Sequence, residues 1–342
     1  MSAGDFYAVS VEEQADRLGQ LARAALPHWG ENWGEPSLIK HRENAVFAIS
    51  DDAGRRAVLR IHRHAYHSDA ELLSELQWMQ ALHEAGLVVP AVIAASNGAS
   101  FVHVSHPLVP EPRQIDVLGW VPGAPIGAIE DMPTDDPEGL AQIYHHIGVL
   151  AAKVHDQAQA WPLPEGFTRH AWDKDGLLGP EPFWGRFWEL PALSSSQIAL
   201  LQRAREAAAA DLDRIGTGSD IYSIIHADFV PENVFADNSN LALIDFDDAG
   251  FGWHMFELAT ALFFLQDHPH YPAIRSALFA GYEQQRPGKA DPSLLPLFLF
   301  LRSTTYLGWV HTRPEVETAK ELTPLLIEMA CRQAEEYLGA KR

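Results

Sequence analysis

The stretch from Ile224 to Gly250, IIHADFVPENVFADNSNLALIDFDDAG, sets Asp228, Glu232, Asn233, Asp237, Asp245, Asp247 and Asp248 against the apolar runs Ile224–Ile225, Val234–Phe235 and Leu241–Ile244. Carboxylates crowded beside segments that leave water need a counter-charge. NVFA and LALIDF have the composition of short strands, and DNSN between them is a turn sequence. An antiparallel pairing centred near Ser239 sets opposite each other residues whose numbers sum to about 478, a condition that Asn233 and Asp245 meet. Directly opposed residues share a face with Cβ atoms roughly 4.5–5.5 Å apart. An amide oxygen and a carboxylate then meet at the open end of the hairpin, and Asp228 can fold over the same end. At about 4 Å and an effective dielectric of about 20, two ionised carboxylates repel by about 4 kcal/mol. A divalent cation reverses that sign. Oxygen ligands of this kind suit Mg²⁺, which keeps several waters and shares substrate phosphates. Asp237, Asp247 and Asp248 read equally well as turn residues facing water.

The pattern His-x-Asp-x-x-x-x-Asn in HADFVPEN, followed after the hairpin by IDFDDAG, resembles the catalytic and metal-binding loops of the aminoglycoside phosphotransferase and choline kinase-like family. These are small-molecule kinases with a protein-kinase-like fold. GFGWHMFELATAL is similar to the segment that follows the metal aspartate there, with Glu257 where Asp is more usual and read as structural. The branch it most resembles is the one called type II homoserine kinase-like or stress-response kinase-like. The resemblance implies an α+β fold with a small N-terminal β-rich lobe and a larger, mainly helical C-terminal lobe. It implies that Asp228 is the catalytic base for the acceptor hydroxyl, and that Asn233 and Asp245 hold the metal ions bridging the nucleotide phosphates. His226 is expected to brace the loop by hydrogen bonding. The cofactors implied are ATP and Mg²⁺. The acceptor implied is a small-molecule hydroxyl compound: an amino alcohol, a hydroxy amino acid such as homoserine, or an aminoglycoside-like molecule. Two other readings stay open, a protein Ser/Thr kinase of the stress-response type and a catalytically silent nucleotide-binding pseudokinase.

Phosphate chemistry also calls for a protein cation and a group to hold it. RRAVLRIHRH is the chief basic cluster of an acidic chain. On a strand, Val58, Arg60 and His62 share one facing and Ala57, Leu59 and Ile61 the other. Kinase-like folds usually place Lys where Arg60 stands. Arginine stays charged and can grip phosphate through two parallel hydrogen bonds; a strand arginine facing solvent is the plainer alternative. In the helix expected over SDAELLSELQWMQALHEAG, a turn of about 100° per residue puts Glu75 on the apolar face marked by Leu72, Leu76 and Met79. Glu71 is taken by a capping box with Ser68. A carboxylate on an inward face is costly unless paired, so Glu75 is expected to pair with Arg60. KHRENAVF is where a nucleotide-covering loop falls, with Asn44 as a contributor. Adenine is expected near VLGWVPG, against the backbone of Leu118 to Val121 and walls such as Val58 and Ile244. Trp120 either lines that site or packs plainly.

The elements that must carry these residues follow from pattern. SLIKHRENAVFAIS and RRAVLRIH read as strands about the DDAG turn, with FVHV and QIDVLGWV as further strands. VPGAPIG interrupts the pattern with its Pro and Gly. The division expected is a nucleotide-binding lobe over 1–118, a hinge over 119–126 and a catalytic, substrate-binding lobe over 127–342. Beyond the hinge, helices are expected over EGLAQIYHHIGVLAAKVHDQA, SSSQIALLQRAREAAAADLDRI, MFELATALFFL, PAIRSALFAGYEQQ and PLLIEMACRQAEEYL. The aromatic run AWPLPEGFTRHAWDKDGLLGPEPFWGRFWEL either lines an acceptor pocket or packs onto helices.

The totals bound the function. At 342 residues, 47% of them hydrophobic, the chain can build a full core. A formal charge of −21 points away from nucleic acid and from anionic membrane as partners, and is compatible with a cationic acceptor. One cysteine, Cys331, fits a reducing compartment, and the N-terminal sequence has no apolar leader, so a cytoplasmic location is expected.

Overall fold

The computed structural model describes residues 3–30, 32–41, 43–128, 136–237 and 240–341. Arg42 in the expected nucleotide loop, and Asn238 and Ser239 at the expected hairpin tip, lie outside them. The chain divides into two compact units, Met1–Gly123 with Leu163–Thr168, and Ala124–Pro162 with Arg169–Arg342. The return of residues 163–168 to the first unit is a feature the linear reading does not contain.

The first unit is built on a five-stranded antiparallel sheet of β1 (Ser37–His41), β2 (Ala45–Ser50), β3 (Arg56–Ile61), β4 (Phe101–His106) and β5 (Val109–Gly119), in the order β1-β2-β3-β5-β4. The run SLIKHRENAVFAIS is therefore two strands and not one. DDAG does turn β2 into β3: Asp51 accepts from the Ala53 and Arg55 N–H groups, and Gly54 takes a φ of 79°. Phe47, Ile49, Ala57, Leu59, Ile61, Ile115 and Val117 form a core with Leu18, Leu21 and Ala22 of helix α1 (Val11–Ala25). Helix α2 (Asp69–Glu84) starts at the expected capping box of Ser68 and Glu71 and stops before Gly86, whose φ is 84°.

The second unit is mainly helical, with α3 (Pro137–Ala160), α4 (Lys174–Leu178), α5 (Ser195–Ile215), α6 (His254–Leu262), α7 (Tyr271–Gln285), α8 (Leu295–Thr312) and α9 (Glu317–Ala340). Helices α3 and α7 approach backbone to backbone: a Cβ on Gly148 would strike the Leu278 carbonyl, and one on Gly281 the carbonyl of His145. Helix α8 is apolar nearly all round and buried, as a core helix must be.

Six short strands organise the loops of this unit. They are β6 (Ala124–Pro125), β7 (Ala171–Trp172), β8 (Tyr222–Ile225), β9 (Val234–Asp237), β10 (Asn240–Leu243) and β11 (Gly250–Trp253). They form two sheets, β10-β9-β6 and β7-β11-β8. Gly250 pairs with Ile225, and Leu243 with Val234. The segments 226–233 and 244–249 are thereby tied together at both ends. None of the helices among the described residues is long and apolar enough to cross a membrane.

Candidate active site

The carboxylates of the opening stretch sit on the two tied segments. Asn233 donates its side-chain amide to Asp228 Oδ2 at 2.7 Å and to the Asp228 carbonyl at 3.0 Å. With the amide nitrogen so committed, Asn233 Oδ1 is the atom left to act as a hard-cation ligand. The hairpin register differs by one from expectation. Asp237 pairs with Asn240 and Val234 with Leu243, and the Ile244 N–H donates to the Asn233 carbonyl at 3.0 Å. Asn233 therefore faces Ile244, and Asp245 lies one residue further on. The Asp237–Asn240 pair leaves an even number of positions between the strands, where a centre on Ser239 implies an odd number. A slip of one flips every side chain of a strand, yet Asp245 is already out of the strand. Its φ of 66° is left-handed, a conformation Asp tolerates better than most residues. Asp245 is exposed, as a residue meeting a soluble cation must be.

Ala227 is the other left-handed residue of the site, with φ 64°. A non-glycine residue held there costs about 1–3 kcal/mol and needs outside support. Glu257 on α6, fully buried, supplies it: its carboxylate accepts the His226 N–H at 2.8 Å and the Ala227 N–H at 2.7 Å. Burial pushes the Glu257 carboxyl up to about 7, against the pull of His226 and of those two N–H groups. His226 takes the Asp228 N–H on Nδ1 at 3.2 Å and lies 2.9 Å from the Ile244 carbonyl through Nε2. Those partners fix one neutral tautomer, with the proton on Nε2. Burial agrees, holding His226 down to about 4.

The second segment is clamped from the chain around β7. Arg169 donates to the backbone carbonyls of Ala249, at 2.6 Å, and Asp247, while His170 Nε2 and Trp172 Nε1 meet the Asp248 carbonyl at 3.0 and 2.9 Å. Asp248 stands well above the ordinary carboxylate range, through burial first and then the charges of Asp228, Asp247 and Asp245, with Arg302 opposing. Arg302, on α8, is buried and donates to Asp228 Oδ1 at 2.9 Å and to the Tyr306 hydroxyl at 2.8 Å. Most of the aromatic run around β7 packs within its own unit. Trp172 stacks on Phe256, and Trp188 lies under the Arg205 guanidinium.

In the first unit Arg60 and Glu75 form a buried ion pair, NH1 to Oε1 at 2.9 Å. A second carboxylate takes part. Asp116 on β5 accepts from Arg60 Nε at 2.9 Å and NH2 at 2.8 Å, and lies 2.7 Å from His62 Nε2. Burial works to raise Asp116, but Arg60 and His62 more than offset it and bring the carboxyl to about 2. Asn44 and Trp120 belong to opposite ends of β3. Asn44 accepts the Arg63 N–H at 3.1 Å, and the Trp120 ring lies 3.4 Å from the Arg56 guanidinium carbon.

Arg302, Asp116 and the Arg169 clamp are the residues that sequence reasoning missed. Two of them carried a signal. Asp116 interrupts the apolar run of QIDVLG, and Arg302 interrupts LPLFLFLRSTTYLGW, and a charge within a buried segment must answer to a partner.

Residues 35–294 match the phosphotransferase enzyme family. The microcompartment-associated aminopropanol kinase has a structure similar to this chain, with a TM-score of 0.80, 31% identity, and 94% of this chain and 98% of that one covered. An amicoumacin kinase in complex with AMP-PNP and Ca²⁺ has the same fold at 17% identity and a TM-score of 0.74, covering 95% of this chain and 96% of that one. A homoserine kinase of Chelativorans sp. (strain BNC1) is 30% identical over 236 residues, which are 65% of this chain and 69% of the relative. The protein-kinase-like fold expected from HADFVPEN is therefore the fold of this chain.

Proposed function

Because the chain belongs to the phosphotransferase enzyme family, we propose that it is a kinase that uses ATP with Mg²⁺ to phosphorylate the hydroxyl of a small amino alcohol or hydroxy amino acid. The observation that carries this reading is the direct bond between Asp228 and Asn233, with Asp245 next to the residue that Asn233 faces. Asp228 receives the acceptor's hydroxyl proton as the hydroxyl oxygen attacks the γ-phosphorus. The bond from that phosphorus to the β–γ bridging oxygen breaks, and ADP leaves. Asn233 Oδ1 and the Asp245 carboxylate, hard oxygens that fit such an ion, would hold the metal, which when bound would offset charge on the phosphates. Arg60, held by Glu75 and Asp116, is assigned to the nucleotide phosphates, with Asn44 and Trp120 as further nucleotide contacts. His226 keeps Asp228 facing the acceptor through its bonds to the Asp228 N–H and the Ile244 carbonyl.

The preference for an amino alcohol is supported by the likeness to an aminopropanol kinase at 31% identity across nearly the whole chain. The acid surplus of the chain is compatible with a cationic acceptor. The test is a panel of amino alcohols, hydroxy amino acids and aminoglycosides, screened for acceptor-dependent ADP release with Mg²⁺. Release stimulated by an amino alcohol or a hydroxy amino acid supports the proposal. Nucleotide binding without release on any acceptor supports a silent nucleotide-binding protein instead.

A further inference from the structure

Arg302 is an arginine that stability alone does not explain. Its side chain is wholly buried, and its Nε and NH1 have no hydrogen-bond partner. Aromatic rings surround it, with the guanidinium carbon 4.4 Å from the Tyr306 ring centre, 5.5 Å from that of Trp184 and 5.7 Å from that of Phe256. A buried charge with unfilled donors is expensive, and an apolar side chain of similar volume usually serves a core as well or better. Among the described residues the acid it bonds is Asp228, whose side chain is 24% accessible while that of Arg302 is 0% accessible. The guanidinium is therefore out of reach of any acceptor that touches Asp228. It acts on the reaction from behind the carboxylate.

The loop has no such charge of its own. From Ala227 to Val234 the sequence ADFVPENV contains neither Lys nor Arg. The cation arrives instead from α8, 74 residues further along the chain. Asp228 is thereby gripped on both oxygens, Oδ1 by Arg302 and Oδ2 by Asn233. A carboxylate held at both ends has one orientation to offer a hydroxyl, and part of its charge is offset before a phosphate chain draws near.

Resting on the phosphotransfer reading, we infer that Arg302 is a positioning residue for the transfer, acting through Asp228 to fix that carboxylate and temper its charge toward the incoming phosphate. The aromatic rings keep the guanidinium dry, so its bond to Asp228 is not shared with water.

The test compares Arg302→Met, which keeps the volume, with Arg302→Lys, which keeps the charge, by steady-state kinetics on the full chain with the best acceptor of the panel. Misplacing a reacting group can cost about 10²-fold, and a loss of that order in kcat is expected for Arg302→Met, with the acceptor KM changed less than about threefold. Arg302→Lys is expected to recover at least tenfold of it. Thermal melting of both variants separates a folding defect from a kinetic one. If Arg302→Met fails to fold, Arg302→Lys decides: a kcat within about tenfold of wild type, at unchanged KM, supports the inference, and a lower one overturns it. The inference is overturned where wild type turns over an acceptor and Arg302→Met matches it in kcat. It is overturned also where Met and Lys lose activity alike while both remain folded, since packing and not charge would then be at issue. A wild type that turns over no acceptor overturns the phosphotransfer reading itself, and this inference with it.

Discussion

The side-chain amide of Asn233 and the carboxylate of Asp228 are joined at 2.7 Å, so the proposed metal ligand and the proposed base are one hydrogen-bonded unit. Disturbing either is expected to disturb the other. Asp228→Asn keeps the shape and removes the proton acceptor. A positioned base contributes about 10²–10⁴-fold, and kcat is expected to fall by that factor while circular dichroism stays that of wild type. Turnover within threefold of wild type would contradict the assignment of Asp228.

Asn233→Ala and Asp245→Ala remove the oxygens assigned to the cation. Each is expected to raise the Mg²⁺ concentration for half-maximal turnover by at least about tenfold, since loss of a hard ligand weakens the site directly. Calorimetric titration of ADP with and without Mg²⁺ provides a second reading. In wild type the metal should strengthen ADP binding, and in Asp245→Ala that gain should shrink. An unchanged Mg²⁺ requirement in both variants would remove the metal role from these residues.

The Arg60 cluster separates stability from binding. Arg60→Met leaves Glu75 and Asp116 buried without their cation, and breaking a buried pair from one side costs about 3–5 kcal/mol. Urea unfolding should report a loss of that order. Arg60→Lys retains a charge but cannot serve Asp116 with two parallel bonds and Glu75 as well. A rise in the KM for ATP of about tenfold is expected, with a smaller change in the acceptor KM. Equal effects on both substrates would argue that Arg60 does not address the nucleotide.

Glu257 gives the chain a pH dependence with a definite sign. Its folded pKa of about 7 lies above the unfolded value of roughly 4.3. The folded state therefore retains a proton that the unfolded state has released. The stabilisation is complete below about pH 4.3 and is lost as the pH rises through about 7. His226, held down to about 4, has the opposite slope, which is steepest between about pH 4 and 6.5 and fades only above roughly pH 7.5. Between pH 6.5 and 8 the Glu257 contribution falls by about 1 kcal/mol, roughly half of which His226 returns, and the Glu257 part is worth roughly 1–2 °C in melting temperature at this chain length. Glu257→Gln should melt without that fall across the interval. A slope identical to wild type would remove Glu257 as its source.

The sequence carried the chemistry better than the geometry. HADFVPEN and IDFDDAG were legible because residue type and spacing are local, and so was the α2 capping box of Ser68 and Glu71. Glu75 could be read as a partner for Arg60 because helical periodicity puts it on an inward face, where a carboxylate needs a cation. Asp116 completes that cluster from β5, 56 residues from Arg60, and no local pattern gives the strand order that sets β3 beside β5. The hairpin register is not legible locally, because the turn length that sets it rests on residues that pair equally well on paper either way. The left-handed backbone at Asp245 then decides where its carboxylate points. Arg302 escaped for another reason. LLPLFLFL reads as a short apolar run, whereas the structure continues it as α8 through Thr312, carrying a buried arginine to a loop far away in sequence.

The most direct test of the account is mass detection of a phosphate monoester formed from ATP and a pool of amino alcohols, hydroxy amino acids and aminoglycosides in the presence of Mg²⁺, with wild type and Asp228→Asn side by side. A phosphorylated amino alcohol or hydroxy amino acid is expected with wild type, and at least about 10²-fold less of it with the variant. No phosphomonoester from any member of the pool, or equal yields from the two proteins, would contradict it.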